Sequence, residues 1–181
     1  MKFKKFKFKK VRSTNNTAIR IIKKTHHKYG MVISESQTNG KGQYGRKWIS
    51  LKGNLFVTFF YEVNKIKLSI ATITKLNCLL IKKLISKYTY KKILYKKPND
   101  LLIEKKKVCG VLQEIIFMHN KKYLITGIGI NINKSPYIKK CPTTNLNELT
   151  NKRIKINEIE KSLKQIFENN LLQMYNLKVN N

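Results

Sequence analysis

From residue 93 to residue 133 the chain is a succession of apolar runs parted only by turns, and this stretch decides the fold class. Residues 93–95 read as a short strand, which Pro98-Asn99-Asp100 breaks sharply. Runs at 101–103, 108–118 and 123–133 follow, separated by a Lys-rich turn and by His119-Asn120-Lys121. No connection among the three has room for a crossover helix, so neighbours must pair antiparallel, as a meander. Upstream, Phe6 and Phe8 alternate with Lys as a half-buried strand, with a polybasic membrane-surface arm as the rival reading. Ser13 and Thr14 can cap a helix with Ala18, Ile21 and Ile22 on one face, a unit that Gly30 ends. Residues 31–36 read as a strand, 37–47 as a loop and 54–62 as a strong strand.

Ile70, Ile73, Leu76, Leu80 and Leu84 recur at helical spacing and predict an amphipathic helix over about 69–87. Residues 134–147 look irregular, and Asn157 with Glu160 makes a capping-box start for a last helix marked by Ile159, Leu163, Ile166 and Met174. Strands cluster instead of alternating with helices. The expected class is therefore α+β, a mixed, largely antiparallel sheet flanked by helices, in one domain of 181 residues.

Charge narrows the function less than it first promises. The chain has 39 Lys or Arg against 9 Asp or Glu, a formal charge of +30, which suits a nucleic-acid-binding module. Yet only Arg12, Arg20, Arg46 and Arg153 are Arg, and Lys is a solvated point charge where Arg is a fork that reads phosphates and base edges. Abundant Lys, Ile and Asn also fit drift in an A/T-rich genome. No apolar run is long enough for a membrane span, so no membrane partner is expected. Cys78, Cys109 and Cys141 are odd in number and far apart, which argues against disulfides or a structural zinc site and for a reducing, cytoplasmic setting. His26, His27 and His119 read as surface, leaving a His-based triad without support.

Four segments could carry chemistry. Gly40, Gly42 and Gly45 spell G-x-G-x-x-G, but a strand follows where a dinucleotide site needs a helix N-terminus. What remains is a tight loop of donors, Gln37, Lys41, Gln43, Arg46 and Lys47, suited to an anion, or else a glycine-rich hairpin with a solvated basic tip. Lys96-Lys97-Pro98-Asn99-Asp100 puts a cation at a strand end beside a rigid turn. Lys107, Gly110 and Glu114 come third, although a straight strand would set Lys107 and Glu114 on opposite faces. In the fourth, Gly127 and Gly129 bare one face of a strand that Asn131 continues, as happens where a ligand comes close.

Taken in order, Ser13-Thr14-Asn15, QTNGKGQYGRKW (37–48), KKPND (96–100), KKVCGVLQE (106–114) and GIGININ (127–133) resemble the catalytic domain of biotin–protein ligases, more loosely through PTTNL (142–146). The resemblance implies a fold like that of class II aminoacyl-tRNA synthetases and biotin synthetases. It implies ATP and biotin as substrates with Mg2+, a biotinyl-5′-AMP intermediate, and transfer to a lysine of a biotin carboxyl carrier protein. A lipoate or octanoate ligase or transferase of the same fold is the alternative. By position, Ser13, Thr14, Asn15, Gln37, Lys41, Gly42, Gln43, Lys96 and Gly110 would bind biotin. Gly40, Lys41, Gln43, Arg46, Trp48, Asp100, Lys107, Gly129 and Asn131 would bind ATP or the adenylate. Lys96, Arg46 and Lys107 would be the catalytic cations.

Lys97 stands where the family usually has Trp, Lys41 where it has Arg, and Gln43 where Arg is frequent, so looser adenylate holding is expected. The stretch ahead of Ser13 is too short for the helix-turn-helix of bifunctional repressors, so no DNA partner is expected. The small C-terminal β-barrel domain is expected to be absent, and a homodimer through a sheet edge is compatible with the fold.

Overall fold

The computed structural model describes residues 2–64, 66, 68–150 and 153–176. In chain order the elements are β1 (Lys4–Phe8), α1 (Thr14–Thr25), β2 (Tyr29–Ser34), β3 (Gly40–Lys41), β4 (Lys47–Trp48), β5 (Leu55–Glu62), α2 (Ile70–Ile85), β6 (Ile93–Lys96), β7 (Asp100–Ile103), β8 (Lys106–Met118), β9 (Lys121–Ile130) and α3 (Ile156–Asn176). Seven strands form one sheet in the order β1-β2-β5-β9-β8-β7-β6, and β3 pairs with β4 in a separate small hairpin. Only β1 and β2 run parallel in the large sheet. The class is α+β with a mixed, mostly antiparallel sheet, as the meander requires. Among the described residues no helix is long and apolar enough to cross a membrane.

Helices cover the sheet unequally. One face carries α2 and α3 over a large core in which the Phe59 and Phe167 rings stack 4.2 Å apart. Each such side chain withdrawn from water is worth about 1.5–3 kcal/mol. Among the described residues, α1 is the one helix on the other face, over Val32, Phe60, Tyr123 and Ile125. That helix lies across β2, β5 and β9 and leaves the far part of the face open.

Three local expectations are corrected. α1 ends on His26, at φ 53, whose N–H donates to the Ile22 carbonyl, and not on Gly30. Gly30 lies inside β2 because a Cβ there would come 2.4 Å from the Phe60 ring. On α2 the buried stripe is Ile73, Asn77, Cys78, Ile81, Leu84 and Ile85, while Ile70 and Leu76 are exposed. The helix packs against both the sheet and α3, so its buried arc is turned from the one that leucine and isoleucine spacing marks out. Finally, α3 begins at Ile156, one residue ahead of Asn157, and Glu160 pairs with Lys5 of β1.

Candidate active site

The open part of the α1 face is floored by glycines, each lying under a named side chain. A Cβ on Gly127 would stand 2.2 Å from Asn15 Oδ1, and one on Gly129 2.4 Å from the Trp48 indole. One on Gly110 would meet Trp48 at 2.8 Å and the end of Lys107 at 3.1 Å. The bare backbone expected at Gly127 and Gly129 therefore first admits Asn15 and Trp48, which build the walls above the floor.

The N-terminus of α1 makes one end of the site. Ser13, Thr14 and Asn15 are all buried, Ser13 as N-cap with its hydroxyl accepting from the Asn16 N–H. Gln37 Oε1 accepts from the Thr14 N–H at 2.7 Å and from the Thr14 hydroxyl at 3.0 Å, and its Nε2 donates to Ser50 Oγ at 3.0 Å. The Thr58 hydroxyl, 2.8 Å from Thr14 Oγ1, donates to Asn15 Oδ1 at 2.6 Å. Asn15 Nδ2 donates to Glu114 Oε2 at 2.7 Å. A carboxylate only accepts, so Glu114 sets which way the Asn15 amide points.

Cations make the other end. Lys107 Nζ lies 2.7 Å from Asp100 Oδ1 and 5.2 Å from the centre of the Trp48 ring. Its backbone is held on both sides: the Lys107 N–H donates to the Pro142 carbonyl at 2.8 Å, and the Lys107 carbonyl accepts from Thr144 at 3.0 Å. Leu101 pairs with Cys109 but Leu102 with Lys107, so Val108 is an extra residue in β8, a bulge. The bulge restores Lys107 to the face that carries Gly110 and Glu114, which corrects the straight-strand expectation. Lys96 ends β6 opposite Asp100. Lys96 and Arg46 form no ion pair among the described residues.

The segment expected as a loop closes over the site as the β3–β4 hairpin. Gly42 donates to the Arg46 carbonyl at 2.7 Å, and the tip turns through Tyr44 at φ 56 and Gly45 at φ 74. Only glycine takes that backbone region without a Cβ penalty. Together these parts enclose a cavity of about 460 Å³, the size of small-molecule sites generally. Every residue expected to bind biotin, ATP or the adenylate lines it except Gly40, which is buried under the Trp48 carbonyl at the hairpin base. Asn131 lines it too, but its Nδ2 donates to the carbonyls of Thr144 and Lys107, so it also ties β9 to the segment that follows.

Glu114, picked out with Lys107 and Gly110, is brought to the site through Asn15. Several residues here escape sequence reasoning, Thr58 among them, drawn in by Asn15. Asn99 Nδ2 donates to the Val111 carbonyl at 2.6 Å. Asn54 Oδ1 accepts from the N–H groups of Ile132, Asn133 and Lys134 at 3.0–3.1 Å. Ile138, Lys140, Cys141 and Thr143 bring the irregular segment to the rim. Asn99 had a local signal in the turn it shares with Pro98, and Thr143 in the PTTNL run. Burial raises the Cys109 thiol well above its ordinary value and pushes Cys78 up to about 12, so neither suits a nucleophile. Among the described residues no group of three or more His, Cys, Asp or Glu could hold a metal ion.

The cavity has fixed amides and hydroxyls at one end and cations at the other, a polarity that matches a small ligand with a neutral head and an anionic tail. The sequence comparison agrees with that match and sharpens it. Residues 7–131 match the biotin/lipoate A/B protein ligase family, and the chain belongs to it. The bifunctional ligase/repressor BirA of Bacillus subtilis is 29% identical over 126 residues, 68% of this chain and 39% of that protein. The chain thus spans about two fifths of that relative's length. The structure of biotin protein ligase from Aquifex aeolicus in complex with biotin and ATP superposes with a TM-score of 0.80 and 28% identity, over 96% of this chain and 72% of that one. The Leishmania major biotin protein ligase in complex with biotinyl-5-AMP shares the fold, with a TM-score of 0.76 and 23% identity over 90% of this chain and 72% of that one.

Proposed function

We propose that the chain is an ATP-dependent biotin–protein ligase. The observation that carries this is the polarity of this cavity: the Ser13–Asn15 and Gln37 cluster opens into the same space as Lys96, Arg46 and Lys107. Biotin has the matching polarity, a neutral ureido head and a carboxylate tail. Among the described residues nothing accepts the Ser13 hydroxyl proton, and Asn15 Nδ2 has a second N–H beyond the one given to Glu114. Both can meet a ureido carbonyl. The Aquifex aeolicus ligase, with its bound biotin and ATP, supports the same assignment.

The chemistry asks for charge compensation and alignment more than for a nucleophile. A carboxylate oxygen of biotin attacks the α-phosphorus of MgATP, the bond to pyrophosphate breaks, and biotinyl-5′-AMP forms. Lys96, without a carboxylate partner, would offset the charge of the carboxylate and the α-phosphate as they meet. Arg46 would hold the departing phosphates. Lys107, kept in place by Asp100 and the 142–144 backbone, would face the adenylate. A carrier lysine, as its free amine, then attacks the acyl carbon, and AMP leaves as the amide forms and a proton is lost. The biotin carboxyl carrier domain is thus the proposed partner. The free thiols and the need for ATP favour the cytoplasm.

The test is incubation with MgATP, labelled biotin and a carrier domain. Biotin-dependent pyrophosphate release and carrier labelling are expected. Activity with lipoate or octanoate but not biotin would move the chain to the other branch of its family. No adenylate with any of the three, together with salt-steep nucleic-acid binding, would overturn the ligase reading.

A further inference from the structure

Glu114 is the carboxylate beside the neutral end of the site, as Asp100 is at the charged end, and no step of the proposed reaction uses it. Its two oxygens have different partners. Oε2 holds the amide of Asn15, at the neutral end of the cavity. Oε1 lies 3.6 Å from Lys41 Nζ, on the strand that begins the hairpin over the cavity. Lys41 pairs across that hairpin with Lys47, and Gly40 pairs with Trp48, the wall above Gly110 and Gly129. At the hairpin's other foot, Ser50 is tied through Gln37 and Thr14 to Thr58 and so back to Asn15. Both feet of the hairpin are therefore connected to the side chains that would hold the ligand's head: the Lys41 foot is anchored by backbone bonds from Thr38 and Asn39 to the Val11 and Arg12 carbonyls, and from β3 itself the side-chain link to Asn15 runs through one carboxylate.

We infer that Glu114 is a positioning residue that couples the neutral end of the cavity to the β3–β4 hairpin, orienting Asn15 with one oxygen and drawing Lys41 down with the other. This rests on the ligase reading for the identity of the ligand but not for the coupling. The two halves differ in strength. The Asn15 bond is short and charge-assisted. The Lys41 contact is longer and its side chains are 39% and 30% exposed, so it is a weak, screened pair.

Glu114→Gln keeps an acceptor for Asn15 and removes the attraction for Lys41, whereas Glu114→Ala removes both. Two readouts separate the roles. In the ligand-free protein, hydrogen exchange at the hairpin amides of Gly42 and Arg46 should quicken about threefold in both variants, the size expected of an exposed ion pair, and less at high salt. Biotin affinity, titrated without ATP, should stay within about twofold for Glu114→Gln and fall about tenfold for Glu114→Ala, which leaves the buried Asn15 amide without its acceptor. A purely structural role would shift melting temperature, exchange and affinity together in both variants. The coupling is overturned if Glu114→Gln leaves hairpin exchange unchanged, or if it weakens biotin as much as Glu114→Ala does. If the wild-type protein binds no biotin, the ligase reading falls, and the exchange arm alone then decides whether Glu114 holds the hairpin.

Discussion

Replacing Gly129 by Ala tests the architecture of the site with one added methyl group. That methyl would stand 2.4 Å from Cε2 and Cζ2 of Trp48, against the 3.4–4 Å of ordinary contact, so the indole must move by about an ångström. β9 cannot retreat, because β5 and β8 hold it from both sides. Overpacking of this kind costs about 1–3 kcal/mol. For a domain of this size each kcal/mol shifts the melting temperature by roughly 2–4 °C, so a fall of roughly 2–12 °C is expected. Displacing the ring also weakens its contact with the Lys107 ammonium, worth about 0.5–1 kcal/mol where partly exposed. Trp48 is the single tryptophan, which makes its fluorescence a direct assay: the emission maximum should move to the red as the indole is lifted from the sheet. Gly45→Ala is the control. No atom lies within 4 Å of the added group, but φ is +74, so the strain is confined to the hairpin tip and Trp48 emission should not change. A Gly129→Ala protein that melts within about 1 °C of wild type with unaltered emission would refute the packing argument.

Lys96→Ala should abolish adenylate formation while circular dichroism and melting stay near wild type; near-normal turnover in that variant would remove Lys96 from the reaction. Asn54→Ala strips the acceptor from three N–H groups and should lower unfolding free energy by about 3 kcal/mol, measured by denaturant titration. Burial pushes Tyr61 and Cys78 up to about 12 in the folded chain, from ordinary values of 10.0 and 9.0. The unfolded chain therefore releases these protons first, so the stability they contribute is complete below about pH 9 and drains away between there and pH 12; Tyr61 alone accounts for about 2 kcal/mol. Stability that rose over that interval would contradict the burial. A thiol reagent at pH 8 should label the partly exposed Cys141 and leave buried Cys78 and Cys109 unreacted until the protein unfolds.

The meander, the two long helices and the ordered motifs could be read from the chain because each is a local pattern: alternation, helical spacing, glycine beside cation. What could not be read depends on partners distant in sequence. Asn77 is buried because α2 meets α3 and the sheet together, which spacing within α2 does not encode. Lys107 and Glu114 share a face only through the bulge at Val108, and a bulge is invisible until β7 is laid against β8. Asn54 ahead of its strand looks like any turn residue, until the chain leaving β9 arrives to donate to it. The site residues were easier to name than to assign, since Gly40 and Asn131 serve partly as scaffold for neighbours that also line the cavity.

The clamp that residues 142–144 place on Lys107 has a consequence for the order in which the molecule is completed. On a growing chain the β8–β9 hairpin can form once Ile130 has emerged, because its contacts are local. The charged end of the cavity must wait, since both backbone bonds that fix Lys107 come from Pro142 and Thr144. Competence to hold an anion therefore arrives after the sheet, and a chain halted before Pro142 would have its β-structure without a finished pocket.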